Sequence, residues 1–294
     1  MDNLLLNNQA TIAKEVKFSG RGLHSGRLIR IKLSPNDNGI IFRTDKGDIS
    51  PTPLSVSSTI QNTTISNKDN HIMTIEHLMS ALYSYGIDNI MITIDGNEIP
   101  IMDGSAASFV MMLNEAGITY LNKKKDIFVV KKTILIEDGD SWIKIEPANR
   151  LEIDCKVIFS NPNIKTQSFH YIHNKENYLK YLARARTFTF QKDIDTLKRM
   201  NLIKGGSLDN ALVFSDFNII NNDGLRFKKE VVFHKILDVL GDIALINKEI
   251  YGKITVFKPG HKINNLLARE LFLIEQSQED HFSYFEKMAS LSSE

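Results

Sequence analysis

The segment FHKILDVLGD, residues 233–242, places a histidine and two aspartates inside a pattern that otherwise predicts a buried helix. At about 100° per residue, His234 and Asp238 fall together on the side opposite the apolar stripe. Because they are four residues apart, their side chains are neighbours on that face. Gly241 and Leu245 share the face, so it is not an ordinary solvated surface, and we expect something to pack or bind there. The apolar stripe consists of Val232, Phe233, Ile236, Val239, Leu240 and Ile243.

An earlier helix, predicted for residues 74–86 (TIEHLMSALYSYG), repeats this arrangement. His77 falls almost opposite its apolar stripe, and Glu76 also lies off the stripe. A face of small residues suits the close approach of another helix. If the two helices pack through these faces, His77 meets His234 and Asp238. The stripe consists of Ile75, Leu78, Met79 and Leu82, and the small residues beside His77 are Ser80, Ala81 and Ser84.

Two imidazoles and one carboxylate with an open fourth position are typical of a catalytic zinc site. Two nitrogen ligands favour zinc over magnesium, although iron and manganese stay open on this argument. Glu76, adjacent to His77, would lie near the attacking water and could take its proton. The alternative is that the histidines only satisfy a polar interface, since the spacing is not that of the HExxH zinc motif.

The composition excludes several classes of protein. A length of 294 residues suits two domains, and 42% hydrophobic with 24% charged residues argues against disorder. Because 36 Lys and Arg balance 35 Asp and Glu, no overall charge favours nucleic acid or an anionic membrane. Any anionic ligand must therefore be held by a local cluster of basic residues.

The sequence predicts a cytoplasmic protein without a stable membrane anchor. The amino terminus has an apolar run of only three leucines and carries Asp2 where a signal peptide would be positive. No uncharged stretch approaches the length that spans a bilayer. The single cysteine, Cys155, alternates with Ile153 and Val157 and is expected in a strand core rather than as a nucleophile.

Both halves of the chain follow the order strands, helix, strand, loop, helix. This predicts an α+β fold of two similar domains from a duplication, each a sheet packed on helices, with the active site between them. We expect domains at residues 1–124 and 125–294, with a linker at residues 122–126 (NKKKD). The second domain carries an insertion near residues 187–226, with a short helix around DIDTLKRM. The loop KPGHKI is expected to precede a last helix, NNLLARELFLIE.

Three loops are unusual in composition: GRGLHSG (20–26), EIPIMDGSA (98–106) and KPGHKINN (258–265). Singly they predict turns, and the first fits neither the dinucleotide fingerprint nor the phosphate loop. With TIEHLMSAL, ARARTF, GSLDNALVF and FHKILDVLGD they resemble the UDP-3-O-acyl-N-acetylglucosamine deacetylase family of lipid A biosynthesis. The resemblance covers essentially the whole chain, in the same order and with similar separations.

The resemblance implies a zinc enzyme that hydrolyses the acetamide of UDP-3-O-acyl-N-acetylglucosamine to the free amine and acetate. A monomer that binds this substrate and no nucleic acid is expected. By motif, the implied Zn²⁺ ligands are His77, His234 and Asp238, with Glu76 as general base, His261 as general acid, Asp242 orienting His261, Thr187 on the oxyanion and Lys235 near the pyrophosphate or sugar. The implied substrate contacts are Phe159, Lys144 and Lys258 at the nucleotide, and Phe188 with residues 190–210 along an acyl-chain passage.

A rival hypothesis is a nucleotide-sugar or acyl-lipid binding protein that keeps this fold without turnover. It requires that Glu76 and His261 be dispensable, although the sequence retains both members of the implied acid–base pair. Metal-dependent release of acetate distinguishes the two hypotheses.

Overall fold

The fold repeats one strand order in both halves of the chain. The computed structural model describes residues 7–291, with side chains through residue 277. The first half contains β1 (Asn8–Ile12), β2 (Val16–Arg21), β3 (Leu28–Ser34), β4 (Ile40–Thr44), β5 (Gly47–Ile49), β6 (Val56–Ser58), β7 (Thr64–Asn67), β8 (Asn70–Ile72), α1 (Glu76–Ser84), β9 (Ile90–Ile94), α2 (Ala107–Ala116) and β10 (Ile118–Lys124).

The second half contains β11 (Ile127–Val129), β12 (Ile134–Asp138), β13 (Ser141–Glu146), β14 (Glu152–Ile158), β15 (Thr166–Ile172), α3 (Lys175–Asn177), β16 (Phe188–Phe190), α4 (Ile194–Arg199), β17 (Leu212–Phe214), α5 (Glu230–Ile243), β18 (Glu249–Tyr251), β19 (Lys253–Phe257) and α6 (His261–Leu291). Single turns of 3₁₀ helix lie at Pro53–Ser55, Gln191–Asp193 and Ala244–Ile246, and a π-helical turn lies at Tyr178–Leu182.

Two five-stranded sheets carry the duplication. Their strand orders are β2-β3-β9-β4-β5 and β12-β13-β19-β14-β15. In each sheet the middle strand is the last in sequence, and it runs parallel to one neighbour and antiparallel to the other. One helix precedes that middle strand and another follows it, α1 and α2 in the first half, α5 and α6 in the second. The predicted α+β fold with two similar units is therefore confirmed.

The small-residue face of α1 packs against α5, as the sequence predicts. The contact is close enough that a Cβ added at Gly241 would lie 2.1 Å from the carbonyl oxygen of Glu76. Ser80 and Ala81, small residues of the same helix as Glu76, are fully buried. The helices α1 and α5 thus meet nearly backbone to backbone, which brings the chemistry-bearing residues of both halves together.

Two boundaries predicted from the sequence are wrong. Residues 122–124 are not a linker but the end of β10, because Lys124 pairs in register with Asn8 and its Nζ donates to Asn8 Oδ1 (3.0 Å). The last helix begins at His261 rather than after the loop, since the amide of Asn264 already donates to the Gly260 carbonyl (3.0 Å). The domain boundary at residue 124 stays a prediction.

The insertion of the second half packs on the first half. Its predicted short helix is α4, and β16 pairs with β17 in parallel. The amide of Gly205 donates to the carbonyl of Leu23 (2.9 Å), and a Cβ at Gly205 would lie 2.2 Å from the carbonyl of Gly22. The GRGLHSG loop is therefore the surface on which the insertion rests. Within the part of the chain that the structure describes, no helix is both long and apolar enough to cross a membrane.

Candidate metal and catalytic site

Three buried side chains converge where α1 crosses α5. Asp238 Oδ1 lies 3.3 Å from His234 Nε2 and 3.8 Å from His77 Nε2. The two imidazole rings are perpendicular, with centroids 4.9 Å apart. One potential ligand atom from each residue lies within 4.8 Å of the others. This is the cluster that helical periodicity predicts, formed by one residue of α1 and two of α5.

The protonation states of this cluster suit a divalent cation. Burial lowers the pKa of His77 to about 3 and also lowers the pKa of His234, so both imidazoles are neutral and keep a lone pair. Burial alone would raise the pKa of Asp238, but the positive charges of Lys235 and His261 outweigh it and hold that pKa well below its usual range. Neutral imidazole and ionised carboxylate are the forms that bind metal.

One oxygen of the cluster has no hydrogen-bond partner among the described residues. Asp238 Oδ1 is buried and accepts no hydrogen bond from the residues that the structure describes. Buried polar atoms are normally paired, so this oxygen needs a partner. His234 Nδ1 donates to the carbonyl of Ala185 (3.0 Å), which leaves the Nε2 lone pair free toward Asp238. Two imidazole nitrogens and one carboxylate oxygen form a donor set that fits a transition-metal cation such as zinc.

Glu76 lies in the first turn of α1, next to His77 in sequence. Its side chain is buried, and Oε2 accepts a hydrogen bond from the amide of Thr63 (3.0 Å). Burial raises the pKa of Glu76 to about 7. A carboxyl group with that pKa exchanges protons near neutral pH, as a general base must.

His261 is held by a second carboxylate on α5. Asp242 Oδ2 accepts from His261 Nδ1 (2.9 Å), and also from Asn264 Nδ2 (2.8 Å). Burial opposes a charge on His261, but Asp242 outweighs it and raises the pKa of His261 to about 9. Thr63 Oγ1 donates to the other oxygen, Asp242 Oδ1 (2.5 Å). His261 is therefore protonated at neutral pH. Its Nδ1–H donates to Asp242, and the Nε2–H is the ring donor that Asp242 does not accept from.

A cavity of about 230 Å³ joins these groups. Its lining contains most of the residues that the sequence assigns to the site, from both halves of the chain. Those residues are Glu76, His77, Thr187, Phe188, His234, Lys235, Asp238 and His261. Lys235 is also tied to the cluster, because its Nζ donates to Asp238 Oδ2 (2.9 Å).

A second cavity, of about 210 Å³, adjoins the first and shares Gln61, Thr187 and Phe188 with it. The insertion supplies much of its apolar wall, including Ile194 and Leu197. Phe159 lines neither cavity, but its ring packs edge-on against Phe188, which lines both, with centroids 5.5 Å apart.

The two remaining lysines do not line either cavity. Lys144 alternates with the buried residues Ile143 and Ile145, so it faces away from the helices, and its Nζ pairs with Glu146 (2.8 Å). Lys258 pairs with Asp140 at the surface, three residues before His261. Lys258 is therefore close to His261 in sequence only, and neither lysine is part of the cavity lining.

Sequence reasoning missed Thr63, Gln61 and Asn264. Asn264 had a usable signal, because it lies one turn after His261 once the helix is known to begin there. Thr63 and Gln61 belong to a loop with no periodic pattern, and their contacts depend on the distant helix α5.

Comparison with known proteins gives one answer along nearly the full chain. A family model described as UDP-3-O-acyl N-acetylglycosamine deacetylase matches residues 9–273. The UDP-3-O-acyl-N-acetylglucosamine deacetylase of Campylobacter lari is 46% identical over 268 residues, covering 90% of this chain and 91% of that protein. Proteins of the same name are 44% identical in Campylobacter fetus, covering 92% of this chain and 94% of that protein, and 44% in Nautilia profundicola, covering 90% and 91%.

Proposed function

The chain belongs to the UDP-3-O-acyl N-acetylglycosamine deacetylase family, and from this we propose that it removes acetate from UDP-3-O-acyl-N-acetylglucosamine in lipid A biosynthesis. The reaction consumes one water and gives acetate and the free amine. The observation that carries the proposal is the convergence of His77, His234 and Asp238 in one cavity with Glu76 and His261. A binding protein would have no use for a base and an acid in the same cavity as the three potential metal ligands.

We propose that His77, His234 and Asp238 hold Zn²⁺. When bound, the cation supplies Lewis acidity, which lowers the pKa of water toward about 7 and polarises the acetyl carbonyl. Glu76 takes the proton of the attacking water on Oε1, because Oε2 already accepts from Thr63. The raised pKa of Glu76 allows it to hold that proton while the carbon–nitrogen bond is still intact.

The leaving amine needs a proton, and His261 is suited to donate it. Asp242 holds the Nδ1 side of the ring, so Nε2–H is the donor. The hydroxyl of Thr187, on the cavity wall, donates to the carbonyl oxygen as negative charge develops there. The ammonium group of Lys235 is held in position by its hydrogen bond to Asp238. From there it contacts the sugar or the pyrophosphate of the substrate.

We propose that the acyl chain occupies the adjoining cavity, between Phe188 and residues 190–210. The apolar side chains that the insertion contributes there support this assignment. Phe159 and Lys258 are proposed to contact the nucleotide, whereas the pairing of Lys144 with Glu146 offers no support for its expected role. We also propose a monomer of two domains, 1–124 and 125–294, that works in the cytoplasm. The buried thiol of Cys155, without a partner cysteine, agrees with a reducing compartment.

The test measures acetate released from UDP-3-O-acyl-N-acetylglucosamine and metal content on the same purified sample. Release that disappears on chelation and returns with Zn²⁺ supports the proposal. Stoichiometric zinc without acetate favours a binding protein, and neither metal nor acetate favours a polar interface without catalysis. Asp238→Ala should lose zinc while remaining folded, whereas Asp209→Ala, a change on the exposed surface, should retain it. Full zinc occupancy in Asp238→Ala would remove that residue from the ligand set.

A further inference from the structure

Arg186 is buried in a position that the proposed mechanism does not use. Its side chain is only 2% exposed, which is rare for arginine. Nε donates to Glu230 Oε1 (2.9 Å), Nη1 to Asp223 Oδ2 (2.8 Å), and Nη2 to the carbonyl of Gly224 (2.6 Å). Because all three nitrogens of the rigid guanidinium donate hydrogen bonds, they fix the positions of Glu230, Asp223 and the Gly224 backbone relative to one another.

Its main partner, Glu230, is the first residue of α5 and is fully buried. The carboxylate also accepts from the backbone amides of Arg186 (3.1 Å) and Arg226 (2.6 Å). His234 follows Glu230 by one helical turn and donates to the carbonyl of Ala185. The consecutive residues Ala185 and Arg186 are thus tied to α5 at two points, one turn apart.

The next residue, Thr187, is the one that reaches the cavity. Its amide donates to the carbonyl of Gly104 (2.7 Å), and its carbonyl accepts from the amide of Leu212 (2.8 Å). Arg186 therefore lies between the residue that orients His234 and the residue that lines the site. Movement of this short segment would disturb both.

We propose that Arg186 is a positioning residue, which, paired with Glu230, holds the Ala185 carbonyl against His234 and Thr187 against the cavity. The inference rests on the proposed function, because it concerns the geometry of a metal ligand. Without the guanidinium fork, the carbonyl of Ala185 is free to shift, and the His234 ring loses the acceptor that sets its orientation. Loss of such outer contacts typically weakens metal binding by about 10- to 100-fold.

The test compares Zn²⁺ affinity, by competition with a chelator, in the wild type and two variants. Arg186→Lys keeps the charge but loses the fork. The double variant Arg186→Met with Glu230→Gln leaves no buried charge unpaired, so it guards against failure to fold. Arg150→Met, which removes an exposed arginine paired with Glu152, is the control. The Co²⁺-loaded proteins are examined by visible absorption, which reports the ligand geometry, and each Tm is recorded.

We expect both Arg186 variants to bind Zn²⁺ at least about tenfold more weakly and to show altered Co²⁺ bands, with the control unchanged. A lower Tm with wild-type Zn²⁺ affinity and an unaltered Co²⁺ spectrum would mean that Arg186 is only structural, and would overturn the inference. If the wild type itself bound neither metal, the proposed function would fail and the inference with it, so the two failures are distinguishable.

Discussion

Gly241→Ala tests whether the site depends on the close contact between α1 and α5. The added Cβ would lie 2.1 Å from the carbonyl oxygen of Glu76 and 2.8 Å from its carbon, whereas ordinary contact begins near 3.4 Å. The two helices must therefore separate by about 1.3 Å, or one must rotate. The clash falls on the backbone of Glu76, so the displacement moves this base and the adjacent His77 away from the ligands on α5.

Two opposing terms decide the effect on stability. Alanine is favoured over glycine within a helix by about 1 kcal/mol. Overpacking a filled interface costs about 1–3 kcal/mol, and here the obstructing atoms are backbone, which yields less than a side chain. We therefore expect the free energy of unfolding to fall by about 1–2 kcal/mol, which lowers Tm by a few degrees. Activity should fall further, because a misplacement of about 1 Å at a catalytic group costs about 100-fold.

The assays are acetate release, zinc content and thermal unfolding on the same preparation. Gly96→Ala is the control, since the atoms nearest to its added Cβ belong to Ile29 and lie at ordinary distance, 3.4 Å or more. It should leave kcat/KM unchanged. If Gly241→Ala instead raised Tm and kept full activity, the two helices would not be in backbone contact, and the site would not depend on their close approach.

Three further outcomes are expected. Glu76→Gln should lower kcat by about 100-fold or more with unchanged zinc content, because it removes the base and no ligand; near-normal turnover would place the base elsewhere. Lys258→Ala should raise KM several-fold while Lys144→Ala should not, since Lys258 precedes His261 by three residues whereas Lys144 pairs with Glu146 on the outward face of β13; equal effects would contradict this distinction. Asp242→Asn should lower the pKa of His261, whose protonated form is the acid, so the alkaline limb of kcat/KM should move to lower pH; an unmoved limb would assign it to another group.

Helical periodicity was sufficient to predict that His77, His234 and Asp238 converge. His77 and His234 both lie opposite apolar stripes, and each shares its face with small residues such as Ser80 and Gly241, which is the pattern of a close helix contact. The duplicated order of strands and helices could also be predicted, because the periodicity of apolar residues that identifies each element is visible within a short stretch of sequence. Asp238 could be added to the predicted cluster because it lies four residues after His234, on the same face of the helix.

Other features depended on distant contacts and could not be predicted. The helix that begins at His261 follows Pro259 and Gly260, which normally mark a loop, and its first residue is held by the hydrogen bond that His261 Nδ1 donates to Asp242. The burial and the ion pair of Arg186 could not be predicted from the sequence either, because its partner Glu230 is 44 residues away. Lys144 is different: its alternation with buried isoleucines already predicts an outward side chain, so its orientation was accessible and only its assigned role lacked local support.

The duplication explains why neither half can form this site alone. The helices α1 and α5 hold equivalent places before the middle strand of each sheet, yet α1 contributes from its first turn and α5 from its interior. Their contact therefore brings Glu76 and His77 to His234 and Asp238, although these residues do not hold equivalent positions in the two helices. Of the two helices that follow the middle strands, only α6 donates a side chain to the cavity, His261. Because the proposed metal ligands and Glu76 all lie on the two helices that meet at the α1–α5 contact, a change of about 1 Å there disturbs catalysis more than a larger change in either sheet.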